Sequence, residues 1–273
     1  DLNTEHPVVA DLLRGYFRYW IDKTDVDGFR IDTVLYVPPT FFEGFANDDG
    51  SSSTGIRPHA AALGKEDFIL FGEAWTSSDE VAASYTQATD GTPRLDSAIY
   101  FPLNFAAREV FASGQPTSML SEVLNNRAQA GYANPDKLVT FIDNHDMGRL
   151  HASTSGGLVK AAYAFLFTIP GIPQLYYGTE QGFDITRKAM FAGGYDADSD
   201  SYDTNSEWFT FFSQLIALRR FGDGSLFDGS VFRYGSLGVL AADATGPGAF
   251  LYKLENGTGL GQRAIVAINT SQQ

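Results

Sequence analysis

The sequence holds 273 residues, 44% of them apolar, with 19 Lys and Arg against 33 Asp and Glu for a net charge of −14. That charge opposes binding of nucleic acid, and the lack of cysteine excludes disulfide scaffolds, thiolate metal sites and Cys nucleophiles. No run approaches the roughly 20 apolar residues that a bilayer-spanning helix needs.

In chain order, residues 7–23 predict a helix with Val9, Leu12, Leu13, Tyr16, Phe17 and Trp20 on one apolar stripe. Residues 26–32 read as a short strand, 40–46 as a short helix, and 47–67 as a polar Gly/Ser loop. A buried strand is expected over 68–73, then helices near 79–88, 104–112 and 116–130, with a weaker strand at 98–101. Strand 138–142, helix 158–167 and strand 174–177 follow. A long Asp/Gly-rich loop, 184–205, precedes an amphipathic helix over 208–220. Strands alternating with helices imply a parallel sheet covered on both faces. From Val231 the pattern changes to short β runs, 231–234, 239–242, 249–254 and 264–269, with a boundary expected near residues 221–230.

Three of the predicted parallel strands run into carboxylates, at Asp32, at Glu73 and at Asp143-Asn144-His145-Asp146. The C-terminal strand ends are where a (β/α)8 barrel gathers its active site. Strand alternation puts Arg30 beside Asp32, where a cation favours the ionised carboxylate. Glu73, beside apolar groups and near other carboxylates, is expected to have a raised pKa, as a general acid requires. An ionised Asp and a protonated Glu in one pocket describe a retaining glycosidase pair. Acids that merely cap the following helices are the alternative for any one of these positions.

The motifs resemble those of the α-amylase family of glycoside hydrolases. Gly28-Phe29-Arg30-Ile31-Asp32 is similar to the family's fourth-strand motif, which implies Asp32 as nucleophile with Arg30 as its partner. Phe71-Gly72-Glu73-Ala74-Trp75 is similar to the fifth-strand motif, implying Glu73 as acid/base. Phe141-Ile142-Asp143-Asn144-His145-Asp146 is similar to the seventh, implying His145 as a sugar-hydroxyl ligand and Asp146 as transition-state stabiliser. The run Gly171 to Glu180 resembles the eighth strand and its turn. The resemblance implies an incomplete (β/α)8 TIM barrel, about strands four to eight, over residues 1–225. The start of a C-terminal β-sandwich is then expected over 226–273. The N-terminal part of the same barrel is expected to lie upstream, because the chain opens at Asp1 without a methionine and Asp1-Leu2-Asn3 resembles the end of a motif in the family's inserted domain. Leu35 and Tyr36 stand where many members carry a Lys-His pair, which puts acceptor-side binding and the usual structural calcium in doubt.

Other signals are weaker. The four histidines show no paired ligand spacing for zinc, and no P-loop, strand-linked GxGxxG or GxSxG elbow occurs. His59 is expected to be solvated, and His151 is a minor candidate for the cleft. Trp75, Tyr36, Phe101, Tyr176, Phe183 and Tyr195 are candidate stacking platforms, with Trp75 favoured for a cleft and Phe101 and Tyr176 for the core. Asp196, Asp198, Asp200 and Asp203 lack EF-hand spacing and read as solvated acids, while Arg187 is expected to reach the cleft. The expectation is a retaining hydrolase of starch-like α-glucans or maltooligosaccharides that needs no cofactor for its chemistry, binds no nucleic acid and has no membrane span. Its substrate makes an extracellular or periplasmic location plausible. A transglycosylase, an α-glucosidase or cyclomaltodextrinase, and a non-catalytic carbohydrate-binding protein are the alternatives.

Overall fold

Helix α1, Pro7–Thr24, opens the computed structural model, which describes residues 2–48, 50, 53–220, 229–256 and 262–271. The elements that follow are β1 (Gly28–Ile31), α2 (Phe41–Ala46), α3 (Ile56–Ala62), β2 (Ile69–Gly72), α4 (Asp79–Ser84) and β3 (Ser97–Ala98). Then come α5 (Phe101–Phe111), α6 (Ser118–Gln129), β4 (Val139–Phe141), α7 (Gly156–Thr168), β5 (Ile172–Gln174), α8 (Glu207–Leu218) and α9 (Val231–Tyr234). Strands β6 (Ser236–Ala242), β7 (Ala249–Glu255) and β8 (Arg263–Asn269) end the described chain. No described helix is long and apolar enough to cross a membrane.

The chain divides into two compact units, Asp1–Pro102 with Asn125–Val139, and Leu103–Leu124 with Thr140–Gln273. In the first, β1, β2 and β3 pair in parallel and in sequence order, with Arg30 opposite Phe71 and Ile31 opposite Gly72. A single parallel bridge joins Ile99 to Val139. Alternation sends Phe29 to one face, where it meets Phe17 and Phe68 edge-on at 5.0 and 5.4 Å. Arg30 takes the other face. Sequence order with parallel pairing requires the intervening helices to cross over on the outside of the sheet.

Helix α1 corrects the predicted stripe. Phe17 packs between Phe29 and Phe45, and Arg14 and Ile21 are buried beside it, whereas Leu12, Tyr16 and Trp20 are each more than half exposed. The face that docks is therefore 14, 17, 21, chosen by the aromatic pair that receives Phe17. The expected polar loop 47–67 also contains a helix, α3. Ile56 and Ala60, one turn apart, are fully buried, and Pro58 is tolerated because it falls in the first turn. His59 is not merely solvated: its Nε2 lies 2.8 Å from Asp22 Oδ1.

A buried polar cluster ties this unit together. Asp79, in the first turn of α4, is 5% exposed and accepts a hydrogen bond from Tyr132 Oη at 3.0 Å. Burial pushes its carboxyl above the ordinary range, while bonds from Tyr100 and Tyr132 oppose the shift.

In the second unit β4 pairs with β5, and β6, β7 and β8 form an antiparallel sheet in that order. Strand β7 alternates cleanly, burying Phe250, Tyr252 and Leu254. Phe250 and Tyr252 pack on Phe165 of α7 at 5.9 and 6.2 Å, and Tyr252 shares a hydrogen bond with Thr168. Thr117 fastens the other side, donating to Ala249 O at 2.9 Å and accepting from Asp243 N at 2.8 Å. The run 231–234 is a helical turn, not the strand its apolar content predicts. Val231 and Phe232 are both buried, and Gly235 N donates to Val231 O at 3.0 Å, the i to i+4 bond of a helical turn. The boundary expected near 221–230 falls largely on residues 221–228, outside the described residues.

Asp79 yields a prediction about stability. A carboxyl whose pKa is raised by folding stabilises below its unfolded pKa, and that contribution is lost as pH rises through the folded value. Tyr132→Phe removes a donor that supports the ionised form, so its cost should grow with pH. Urea unfolding is expected to show a loss of about 1–2 kcal/mol at pH 8 and a smaller one at pH 4. Equal losses at both would remove Asp79 as the cause.

Candidate active site

Parallel pairing in register brings the C-terminal ends of β1 and β2 side by side, with Glu73 N donating to Ile31 O at 2.8 Å. Gly72 is required at this approach: a Cβ there would stand 2.8 Å from Val34 Cγ1 and 2.9 Å from Leu95 Cδ1. The Arg30 guanidinium joins the two carboxylates. Its Nη1 donates to Asp32 Oδ1 at 2.8 Å, and its Nη2 lies 2.9 Å from Glu73 Oε1.

The two acids sit in unlike surroundings. The Glu73 side chain is 6% exposed and that of Asp32 is 65% exposed. Burial pushes the Glu73 carboxyl above its ordinary range, and a side-chain hydrogen bond with Asp32 adds to the shift. The Arg30 charge and the Thr33 N–H, 3.4 Å from Glu73 Oε2, pull the other way. Thr33 holds its backbone in the left-handed region at φ 48°. For a β-branched residue this is a strained conformation, and it directs the N–H toward Glu73. Sequence reading passed over Thr33, since no pattern marks a strained β-branched residue.

Of the other residues expected here, Trp75 is 44% exposed and stacks on the fully buried Phe101 at 4.8 Å and 26°. Tyr36 is 87% exposed beside Leu35. Both remain open as ring platforms, and Phe101 is core.

After β4, Asn144 shapes the turn by accepting from Asp146 N and Met147 N, both at 2.9 Å. His145 Nε2 then lies 2.8 Å from Asp146 Oδ2. Arg187 reaches the same group, with Nη2 2.9 Å from Asp146 Oδ1 and Nε donating to His145 O at 2.8 Å. The structure thus assembles Arg30, Asp32 and Glu73 in the first unit, and His145, Asp146 and Arg187 in the second.

Two buried residues hold the latter group: Asp143, which the sequence placed in the strand-end motif without a role of its own, and Arg149, which it passed over. Asp143 is 2% exposed and accepts from Leu150 N at 2.8 Å, Tyr163 Oη at 3.0 Å and Arg108 Nη1 at 3.3 Å. Arg149, fully buried, donates to Ile185 O, Thr179 Oγ1 and Tyr177 O at 2.7–3.1 Å and lies over the Tyr176 ring. An Arg three residues after a candidate catalytic Asp was the available signal. Phe183 is corrected as a platform: it is 7% exposed, packed where a Gly178 Cβ would be and facing Arg149. His151 packs edge-on against Trp208 at 4.5 Å.

The loop acids serve the loop itself: Asp200 accepts from Ala192 N and Asp203 from Asn205 N, both at 2.8 Å. Among the described residues no group of three or more His, Asp or Glu is placed to hold a metal ion.

The Asp143 cluster is testable. Removing one member of a buried, hydrogen-bonded charge pair typically costs about 3–5 kcal/mol. Asp143→Ala should therefore lower unfolding stability by about that amount, and Asp143→Asn by less. A loss within 1 kcal/mol for Asp143→Ala would show the cluster to be dispensable.

Residues 1–198 match the family model described as "Alpha amylase, catalytic domain". The chain is 32% identical over 283 aligned residues to an α-amylase of Streptomyces lividans, an alignment covering 92% of this chain and 29% of that protein. It is 29% identical to a cyclomaltodextrin glucanotransferase of Bacillus sp. (strain 38-2), covering 81% of this chain and 28% of the relative. Its fold superposes on the crystal structure of an Anoxybacillus α-amylase with a TM-score of 0.76 at 29% identity, covering all of this chain and 54% of that one. The chain thus spans less than a third of these curated relatives and about half of the solved one.

Proposed function

The chain belongs to the alpha-amylase family, and on that premise we propose that it carries the catalytic acids of a retaining enzyme acting on α-glucans. In this reading β1 to β5 are about the fourth to eighth strands of a (β/α)8 barrel within residues 1–225. The β6–β8 sheet then begins a C-terminal sandwich within 226–273.

The observation that carries the reading is Arg30 bridging an exposed Asp32 and a buried Glu73. Two carboxyls in unlike surroundings divide the work of acid and nucleophile. Both carboxyls reach one guanidinium, at 2.8 and 2.9 Å, which supports the close spacing of a retaining pair over the wider gap that admits a water between them. Asp32 attacks the anomeric carbon and forms an ester to the sugar, while protonated Glu73 gives its proton to the departing glycosidic oxygen. Glu73, now ionised, takes a proton from the incoming water, whose oxygen displaces Asp32 and restores both acids.

Arg30 positions both carboxylates and favours ionised Asp32. Asp146 is assigned the stabilisation of the oxocarbenium-like state, and His145, Trp75, Tyr36 and Arg187 the binding of sugar. No cofactor enters this chemistry, and an α-glucan or maltooligosaccharide is the proposed partner. The similarity to a cyclomaltodextrin glucanotransferase favours a second reading of the same machinery, in which a sugar hydroxyl replaces water as acceptor. Products longer than substrate from maltotriose distinguish transfer from hydrolysis.

Glu73→Gln is expected to lower kcat about 10²- to 10⁴-fold. The raised Glu73 pKa keeps its proton to higher pH, so wild-type activity should fall only as pH rises through that value. Proton NMR of the first product formed should show the α-anomer. First-formed β-anomer would refute retention, and full activity of Glu73→Gln would remove the acid/base assignment.

A further inference from the structure

Helix α7 buries an apolar face that includes Leu158, Ala162, Phe165 and Leu166, and in it stands one phenol, Tyr163, itself fully buried. Its ring packs edge-on against Phe212 of α8 at 4.9 Å and 87°. A phenylalanine would keep that packing. Burying a hydroxyl costs free energy unless a partner takes its proton, and here the partner is Asp143, whose Oδ2 accepts at 3.0 Å. Burial, and then the neighbouring Asp143 charge, push the phenol well above its ordinary range, so it stays a donor.

Asp143 is the foot of an arch. Its Oδ1 accepts from Leu150 N at 2.8 Å, which ties residues 143–150 into a loop closed at the base. Asn144 Oδ1 shapes the rise of that loop through Asp146 N and Met147 N, and the exposed residues His145 and Asp146 stand at its crown. Arg149, next to the closing bond, grips Tyr177 O, Thr179 Oγ1 and Ile185 O. Two residues beyond Ile185, Arg187 meets Asp146 at 2.9 Å. One arch therefore carries Asp146 and also anchors the chain that brings Arg187 to it. Arg108 Nη1, 3.3 Å from Oδ1, and Tyr163 Oη hold the foot from outside the arch. The Tyr163 bond is the shorter, and its ring is braced by α8.

We propose that Tyr163 is a positioning residue for the reaction: through Asp143, its hydroxyl sets the height and tilt of the 143–150 arch and so the place of Asp146. The assignment rests on the α-glucan reading above, which gives Asp146 its part in the transition state. A group that improves the fit of Asp146 to the transition state, and not to bound substrate, acts on kcat and leaves KM alone. A group that only stabilises the fold changes the unfolding temperature and leaves both constants of the folded protein alone.

Tyr163→Phe, made in the protein that carries this chain, deletes the hydroxyl and keeps the ring. With maltoheptaose, well below the unfolding temperature, it should lower kcat about tenfold with KM unchanged. Amide hydrogen exchange should accelerate in residues 143–150 and not in 158–167. An undiminished kcat, or a raised KM with kcat intact, overturns the positioning role whatever happens to the unfolding temperature. Wild-type protein that turns over no α-glucan overturns the activity reading instead. Exchange at 143–150 that does not accelerate in Tyr163→Phe overturns the hold on the arch in either case.

Discussion

The Arg30 guanidinium lies between two carboxylates that differ in their access to water, and the chemistry assigned to the first unit depends on that arrangement. Asp32 projects beyond the end of β1 into solvent, whereas Glu73 is covered. One cation contacting both moderates the cost of burying Glu73 without abolishing it, so Glu73 keeps a raised proton affinity. The arrangement requires β1 and β2 to be parallel and in register, so that their ends coincide. It also requires a residue without a side chain at 72, where Val34 and Leu95 close in. Strain at Thr33 serves the same end by aiming an N–H at the buried acid.

The second unit meets a related problem with different means. The Asp146 side chain is one-third exposed, so its orientation comes from charged and polar neighbours: His145 on one oxygen and Arg187 on the other. Beneath them, Asp143 and Arg149 are buried with their polar atoms engaged by main-chain and side-chain partners. Buried charges of this kind are costly when a partner is lost, which makes the turn after β4 and the root of the 184–205 loop geometrically definite. The candidate site residues at the surface are thus placed by charged groups that are not.

Much of this was legible in the chain itself. Most strand positions followed from short apolar runs, though β3 and β5 overlap the expected runs 98–101 and 174–177 only at Ala98 and Gln174, and the candidate acids followed from their place at the ends of such runs. Period-3.6 patterns located α7 and α8 within two residues. Reading failed where a short pattern fits two structures or where the partner decides. The four residues of α9 are too few to express a period, and the bond from Gly235 N to Val231 O reveals the helix only afterwards. In α3 the surrounding Ser and Gly hid a two-turn helix whose buried positions are Ile56 and Ala60.

By itself the sequence determined which residues are candidates for chemistry and the order of most elements, because alternation and strand-end position are local properties of the chain. Only the tertiary structure decided which side of α1 is buried, since that was settled by the aromatic pair Phe29 and Phe45 receiving Phe17. It also decided that Phe183 is enclosed while Tyr195 is open, though both are aromatics near one loop. The physical reason is the same in each case. Burial and proton affinity depend on what surrounds a group in space, and contacts such as Arg30 with Glu73, or Arg187 with Asp146, join residues some forty positions apart.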